Sequence, residues 1–94
     1  MNDETLAKAL DMVKARLSRL DDRLDEYLKA RIRAAHETMT GWGIRPDYAG
    51  NRDLMFLVDL TVWQYGNRDS NTGRPEWLRK RINDRWFEER RETT

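Results

Sequence analysis

The chain contains no cysteine, two prolines, five glycines and a single histidine in 94 residues. Without cysteine there is neither a disulfide framework nor a thiolate metal site. Long apolar runs are also missing. The longest, Leu54 to Val58, is five residues, against the ~20 that a membrane-spanning helix needs. The first ten residues, MNDETLAKAL, place acidic groups where a secretory signal would be basic. The expectation is an intracellular, soluble chain without a membrane partner.

Charge of one sign is lacking too. Charged residues make up 37% of the chain but leave a formal net charge of +1, so no bulk field draws it to nucleic acid. The distribution is uneven. Residues 1–26 carry five basic and seven acidic side chains, and residues 74–91 carry seven basic and four acidic. A chain this short buries only roughly 60–65% of the surface its unfolded form exposes. That bounds it to one domain, residues 1–94 with frayed ends at 1–4 and 91–94, and leaves little volume for an internal catalytic cavity.

The chemistry-bearing motifs are absent as well. The glycines never fall into G-x-G-x-x-G or G-x-x-x-x-G-K-[ST], so nothing cradles a phosphate in the manner of those loops. His36 and Glu37 are adjacent, point in different directions on a helix and cannot form an H-E-x-x-H pair. A structural or solvated histidine is the simpler reading. Asp21, Asp22, Asp25 and Glu26 lack the loop spacing and central glycine of a calcium-binding EF-hand, and read as helix-capping or solvated carboxylates. The expectation is a protein that is not an enzyme and holds no cofactor or metal.

What is present is helical periodicity. Leu6, Leu10, Val13, Leu17 and Leu20 are spaced 4, 3, 4 and 3 apart, which aligns them on one face of a helix over residues 4–20. Asn2 or Asp3 would cap it. Leu24, Leu28, Ile32 and Ala35 form a second face ending near Met39. A break at Ser18–Asp22, with Asp21 or Asp22 as the second cap, is preferred over one long helix spanning 4–39.

Gly41, Gly43, Pro46 and Gly50 punctuate a loop at 40–51, whose Trp42, Ile44 and Tyr48 should fold back onto the core. Residues 52–66 are the most hydrophobic segment, apolar around nearly the whole circumference, as a central covered helix requires. A polar loop follows at 66–74. Pro75 and Glu76 suit the first turn of a final helix, with Leu78, Ile82 and Trp86 on its apolar face and Trp77 at the margin. Arg79, Lys80, Arg81, Arg85, Arg90 and Arg91 would lie elsewhere. The expected fold is all-α, a small bundle of about four helices around the central one.

Four tryptophans, Trp42, Trp63, Trp77 and Trp86, are many for this length. Tryptophan and arginine are common interface anchors, although a small core also gains buried area from large rings. The arginines of the final helix could contact phosphates, pair with acidic surfaces of a neighbouring subunit, or stay solvated. The eight-residue loop before that helix is longer than a helix-turn-helix prefers.

Three stretches carry a family resemblance. They are Leu24-Asp25-Glu26-Tyr27-Leu28 with Ala34-Ala35 and the Thr40-Gly41 stop; Val62-Trp63-Gln64-Tyr65-Gly66-Asn67-Arg68-Asp69; and Arg74-Pro75-Glu76-Trp77-Leu78-Arg79 with Ile82-Asn83. Together, over roughly residues 5–87, they resemble the head–tail connector (adaptor) proteins of long-tailed double-stranded DNA bacteriophages. The first segment is longer and more charged, and the tail after Trp86 shorter, than the family pattern.

The resemblance implies a viral structural protein in a homo-oligomeric ring of about a dozen copies. Its implied partners are the portal protein and tail or stopper proteins, with DNA as non-specific cargo in the channel. The implied location is the virion neck, after assembly in the host cytoplasm. Opposite charge bias at the two ends of the chain suits head-to-tail contacts, and Arg68, Trp77, Arg81 and Trp86 are the expected interface residues. Two other readings stay open: a small DNA-binding regulator using the final helix, and a helical scaffold dimerising through residues 4–35.

Overall fold

The computed structural model describes residues 1–19, 21–69 and 73–93, with the side chains of 92 and 93 set aside. Leu20, expected on the first apolar face, and Ser70, Asn71 and Thr72 of the polar loop lie outside the described residues, as does Thr94. Four helices make up the regular structure of the rest: α1 (Asp3–Arg16), α2 (Asp25–Gly41), α3 (Asn51–Gly66) and α4 (Glu76–Thr93). The all-α expectation holds, with helix ends within a few residues of those read from periodicity. α1 starts inside the stretch expected to fray. None of the described helices is long and apolar enough to cross a membrane.

Asn2 caps α1 as expected, its Oδ1 accepting the Thr5 N–H at 2.7 Å. The break after α1 occurs without glycine or proline because Ser18 takes the left-handed conformation, φ +56°. The Arg19 N–H then reaches Lys14 O at 2.9 Å and the Ser18 N–H reaches Ala15 O at 3.2 Å, the paired bonds of a Schellman stop. α2 ends the same way on Gly43, φ +86°. There the Ile44 N–H bonds Met39 O at 3.2 Å and the Gly43 N–H bonds Thr40 O at 3.0 Å. Met39 and Ile44 are both buried, supplying the hydrophobic contact that accompanies this motif.

The expected cap of α2 is corrected. Leu24 occupies the N-cap position with no side-chain bond. Asp21 Oδ1 instead accepts the Arg23 N–H at 3.3 Å, and Asp22 is drawn away by Lys14 at 3.1 Å. Lys14 also lies 2.9 Å from Asp25 Oδ1. These carboxylates raise the lysine's pKa above its ordinary value, the Asp25 contact contributing most. The acidic cluster therefore ties the α1–α2 corner together.

α1, α2 and α3 pack on one another in every pairing. Leu6, Ala9, Leu10 and Val13 from α1 meet Leu28, Ile32, Ala35 and Met39 from α2, and Leu54, Phe56, Leu57, Val58 and Leu60 from α3. The central position of α3 is as expected, but its cover is incomplete: Met55 is 40% exposed, and Val62, Trp63 and Tyr65 are only partly buried. Thr61 is fully buried and donates its hydroxyl to Leu57 O at 2.7 Å, so its polar group is satisfied. From the 42–50 loop, Ile44 enters the core while Trp42 and Tyr48 lie against it. The Tyr48 hydroxyl meets His36 Nδ1 at 2.7 Å, which ties the 42–50 loop to α2. Burial holds the His36 pKa below its usual value.

Truncating Leu57, which is fully buried, to alanine should cost about 2–5 kcal/mol in urea unfolding, whereas Met55→Ala should cost under about 1 kcal/mol. The two helix stops should respond in opposite directions. Ser18→Gly relieves the left-handed strain and should raise stability by about 0.5 kcal/mol. Gly43→Ala should lower it by about 1 kcal/mol.

Candidate functional site

α4 is the element whose composition least resembles a core helix, and the way it is held decides which residues face outward. It begins on Pro75, whose carbonyl accepts the Leu78 and Arg79 N–H groups, each at 3.1 Å. Leu78 is its one fully buried apolar side chain among the described residues, with Ile82 partly buried beside it. The rest of the anchoring is ionic.

Arg85 is the centre of that anchoring. It is only 8% exposed. Its Nε bonds Asp53 Oδ1 at 2.9 Å and one Nη bonds Asp53 Oδ2 at 3.1 Å, the bidentate geometry that a planar guanidinium offers a carboxylate. The same Nη donates to Arg45 O at 3.0 Å, and the other Nη to Glu89 Oε2 at 3.0 Å. Asp53 also accepts the Asp47 N–H at 2.8 Å. Glu89 accepts the Arg45 N–H at 3.3 Å and pairs with the Arg45 side chain. One buried guanidinium thus joins α4, the start of α3 and the 42–50 loop.

Burial alone would push the Asp53 carboxyl up. Arg85 and the Asp47 amide outweigh that and hold it below the usual carboxylate range. Glu89 is also lowered, chiefly by Arg45. Further along, Asp59 of α3 receives both Arg81 of α4 and Arg16 of α1. The Arg81 guanidinium lies 4.8 Å from the Phe56 ring centroid, and Arg52 pairs with Glu88.

The inner face of α4 is therefore Leu78, Arg81, Ile82, Arg85 and Glu89, and the placement of Arg81 and Arg85 away from the packed face is corrected. The signal was there: positions 78, 82, 85 and 89 follow helical spacing, and Arg85 with Glu89 is an i,i+4 pair. What hid it was that charges read as solvated by default.

The outer face carries Trp77, 46% exposed, and Phe87, 61% exposed. Trp77 is thus not part of the apolar inner face. Trp86 is half-buried, with Phe87 edge-on at 5.8 Å and Arg90 4.5 Å from its ring centroid. Its indole also lies near the backbone of Gly43. Of the four expected interface residues, Trp77, Arg81 and Trp86 share α4, but they face different ways. Arg68 stands apart at the end of α3, its guanidinium 4.4 Å from the Tyr65 ring centroid and bonded to Tyr65 O. Phe87, the most exposed of the large apolar side chains described, was not singled out from the sequence, although it lies opposite Leu78 and Glu89 by helical spacing.

No family model, curated protein or solved structure matches the chain.

Asp53 and Glu89 have folded-state pKa values below their unfolded ones. Their stabilisation is fully present above about pH 5 and is lost as pH falls through the folded-state values. The melting temperature should drop on acidification below about pH 4. Asp53→Asn should cost about 3 kcal/mol near neutrality by leaving Arg85 without its bidentate partner, and should flatten that acid limb. An unchanged acid limb in the variant would show that other carboxylates govern it.

Proposed function

We propose that the chain is a structural, non-enzymatic subunit that assembles by surface packing, as a head–tail connector in the neck of a long-tailed bacteriophage virion. The observation that carries the assembly half of this reading is the outer face of α4, where Trp77 and Phe87 stand in solvent on a domain with little core to spare. Each ring costs solvation while exposed, and a neighbouring copy would cover both. The connector half rests on the family resemblance, whose three stretches fall on α2, the end of α3 and the start of α4. A ring of about a dozen copies with portal and tail proteins as neighbours is the corresponding assembly.

The dimeric scaffold reading loses ground on one point. Leu6, Leu10 and Val13, which would form its dimer face, are buried within the monomer. A regulator that reads DNA with α4 would have to do so without Arg81 and Arg85, which are engaged by Asp59 and Asp53.

Co-expression with a portal protein encoded in the same genome provides the test. The expected product is a ring-sized complex, seen by light scattering and electron microscopy. Trp77→Ala/Phe87→Ala should abolish the ring while leaving chemical stability within about 1 kcal/mol. A chain that stays monomeric in the presence of the portal would overturn the proposal.

A further inference from the structure

The α2–α3 seam carries a groove that includes Arg68 in its lining but none of Trp77, Arg81 and Trp86. Its volume is about 290 Å³, and it is lined by Arg31, Ala34 and Thr38 of α2 with Trp63, Gln64, Asn67 and Arg68 at the end of α3. Among the described residues no carboxylate lines it. The grooves beside Arg85, in contrast, include Asp47, Asp53, Asp84 or Glu88 among their walls.

The two arginines are held in place by aromatic rings. Arg31 donates from Nε to the Tyr27 hydroxyl at 2.9 Å, and its guanidinium carbon lies 5.3 Å from that ring's centroid. Tyr27 meets Tyr65 edge-on at 6.2 Å. Arg68 closes the row over Tyr65. Among the described residues neither Arg31 nor Arg68 takes part in a salt bridge, whereas Arg16, Arg45, Arg52, Arg81 and Arg85 all do. A cation stacked on a ring keeps its charge and loses rotamer freedom before any ligand arrives, which lowers the cost of binding an anion.

We propose that this groove binds the phosphodiester backbone of DNA, with Arg31 and Arg68 each taking a phosphate oxygen. Planar guanidiniums suit phosphate. Two cations on one groove, neither in a salt bridge among the described residues, suit a chain of repeated negative charges. The half-buried indole of Trp63 offers an apolar wall for the sugar, and the Gln64 amide a further donor. A net charge of +1 on the whole chain makes the contact local and weak per subunit, with affinity growing only when copies are multiplied.

The test is a titration of the full chain, followed by the amide, arginine Nε–H and indole N–H resonances, with a 12-base-pair duplex at low salt. Shifts should concentrate at Arg31, Trp63, Gln64 and Arg68. Arg31→Gln/Arg68→Gln should weaken binding at least tenfold and reduce the slope of log affinity on log salt by about 1.8, the value for two phosphates. The Arg31→Lys/Arg68→Lys chain, which retains charge, should recover part of the affinity, and an unchanged melting curve would show that both variants stay folded. Three results would each overturn the assignment: shifts confined to α4, equal affinity for polyglutamate of matched charge, or no shift with duplex at millimolar concentration. None of these bears on ring formation with the portal protein, so this proposal and the connector reading can fail separately.

Discussion

An arginine guanidinium has five N–H donors and cannot lose its charge, so burying one forces its surroundings to supply acceptors. Arg85 meets that demand with both oxygens of Asp53, one of Glu89 and the carbonyl of Arg45. Those acceptors lie on the first turn of α3, on α4 itself and on the 42–50 loop. The position of α4, the path of the 42–50 loop and the first turn of α3 are therefore mutually conditional. Replacing such a cluster by apolar groups of equal volume can be neutral or stabilising, while removing one partner strands a buried charge. Specificity of docking, more than raw stability, is what a cluster of this kind contributes here.

That constraint also explains the division of labour on α4. A helix with Leu78 as its one fully buried apolar side chain among the described residues cannot be held by hydrophobic area alone. Ionic anchoring at Arg81, Arg85 and Glu89 fixes its rotation. Fixed rotation then leaves Trp77 and Phe87 on the solvent side, where a freely turning helix would bury them. The exposed aromatic face and the buried charge cluster are two consequences of one orientation.

Local signals made the helices legible. Apolar spacing placed α1 to α4, Asn2 announced its cap, and Gly41, Gly43 and Pro46 announced the end of α2. The break after α1 was legible only as a loss of preference, because Ser18 adopts a left-handed conformation that its residue type does not advertise. The cap of α2 was misread for a related reason. Asp21 and Asp22 are good capping residues, but Lys14, eight residues before Asp22 and on another helix, competes for the nearer carboxylate. Long-range pairs such as Asp53 with Arg85 leave no local trace at all. Residues 32 positions apart meet only once the fold exists. Sequence could nominate tryptophan and arginine by type but not by direction: Arg81 turns toward Asp59, and the exposure of Phe87 has no signal in its residue type.

The arginines can be sorted by what satisfies them. One group, Arg16, Arg45, Arg52, Arg81 and Arg85, is neutralised by carboxylates and works inside the domain. Another, Arg31 with Arg68, is braced by tyrosine rings and carries its charge to the surface of the α2–α3 seam. Aromatic bracing orients a cation without cancelling it, whereas a carboxylate does both. A protein that needed these two arginines only for stability would gain more from an acidic neighbour at the seam, and α2 has Glu26 and Glu37 within one or two turns that are not used there. Among the described residues the walls of that groove contain no carboxylate, so nothing in them cancels the charge of the two braced guanidiniums.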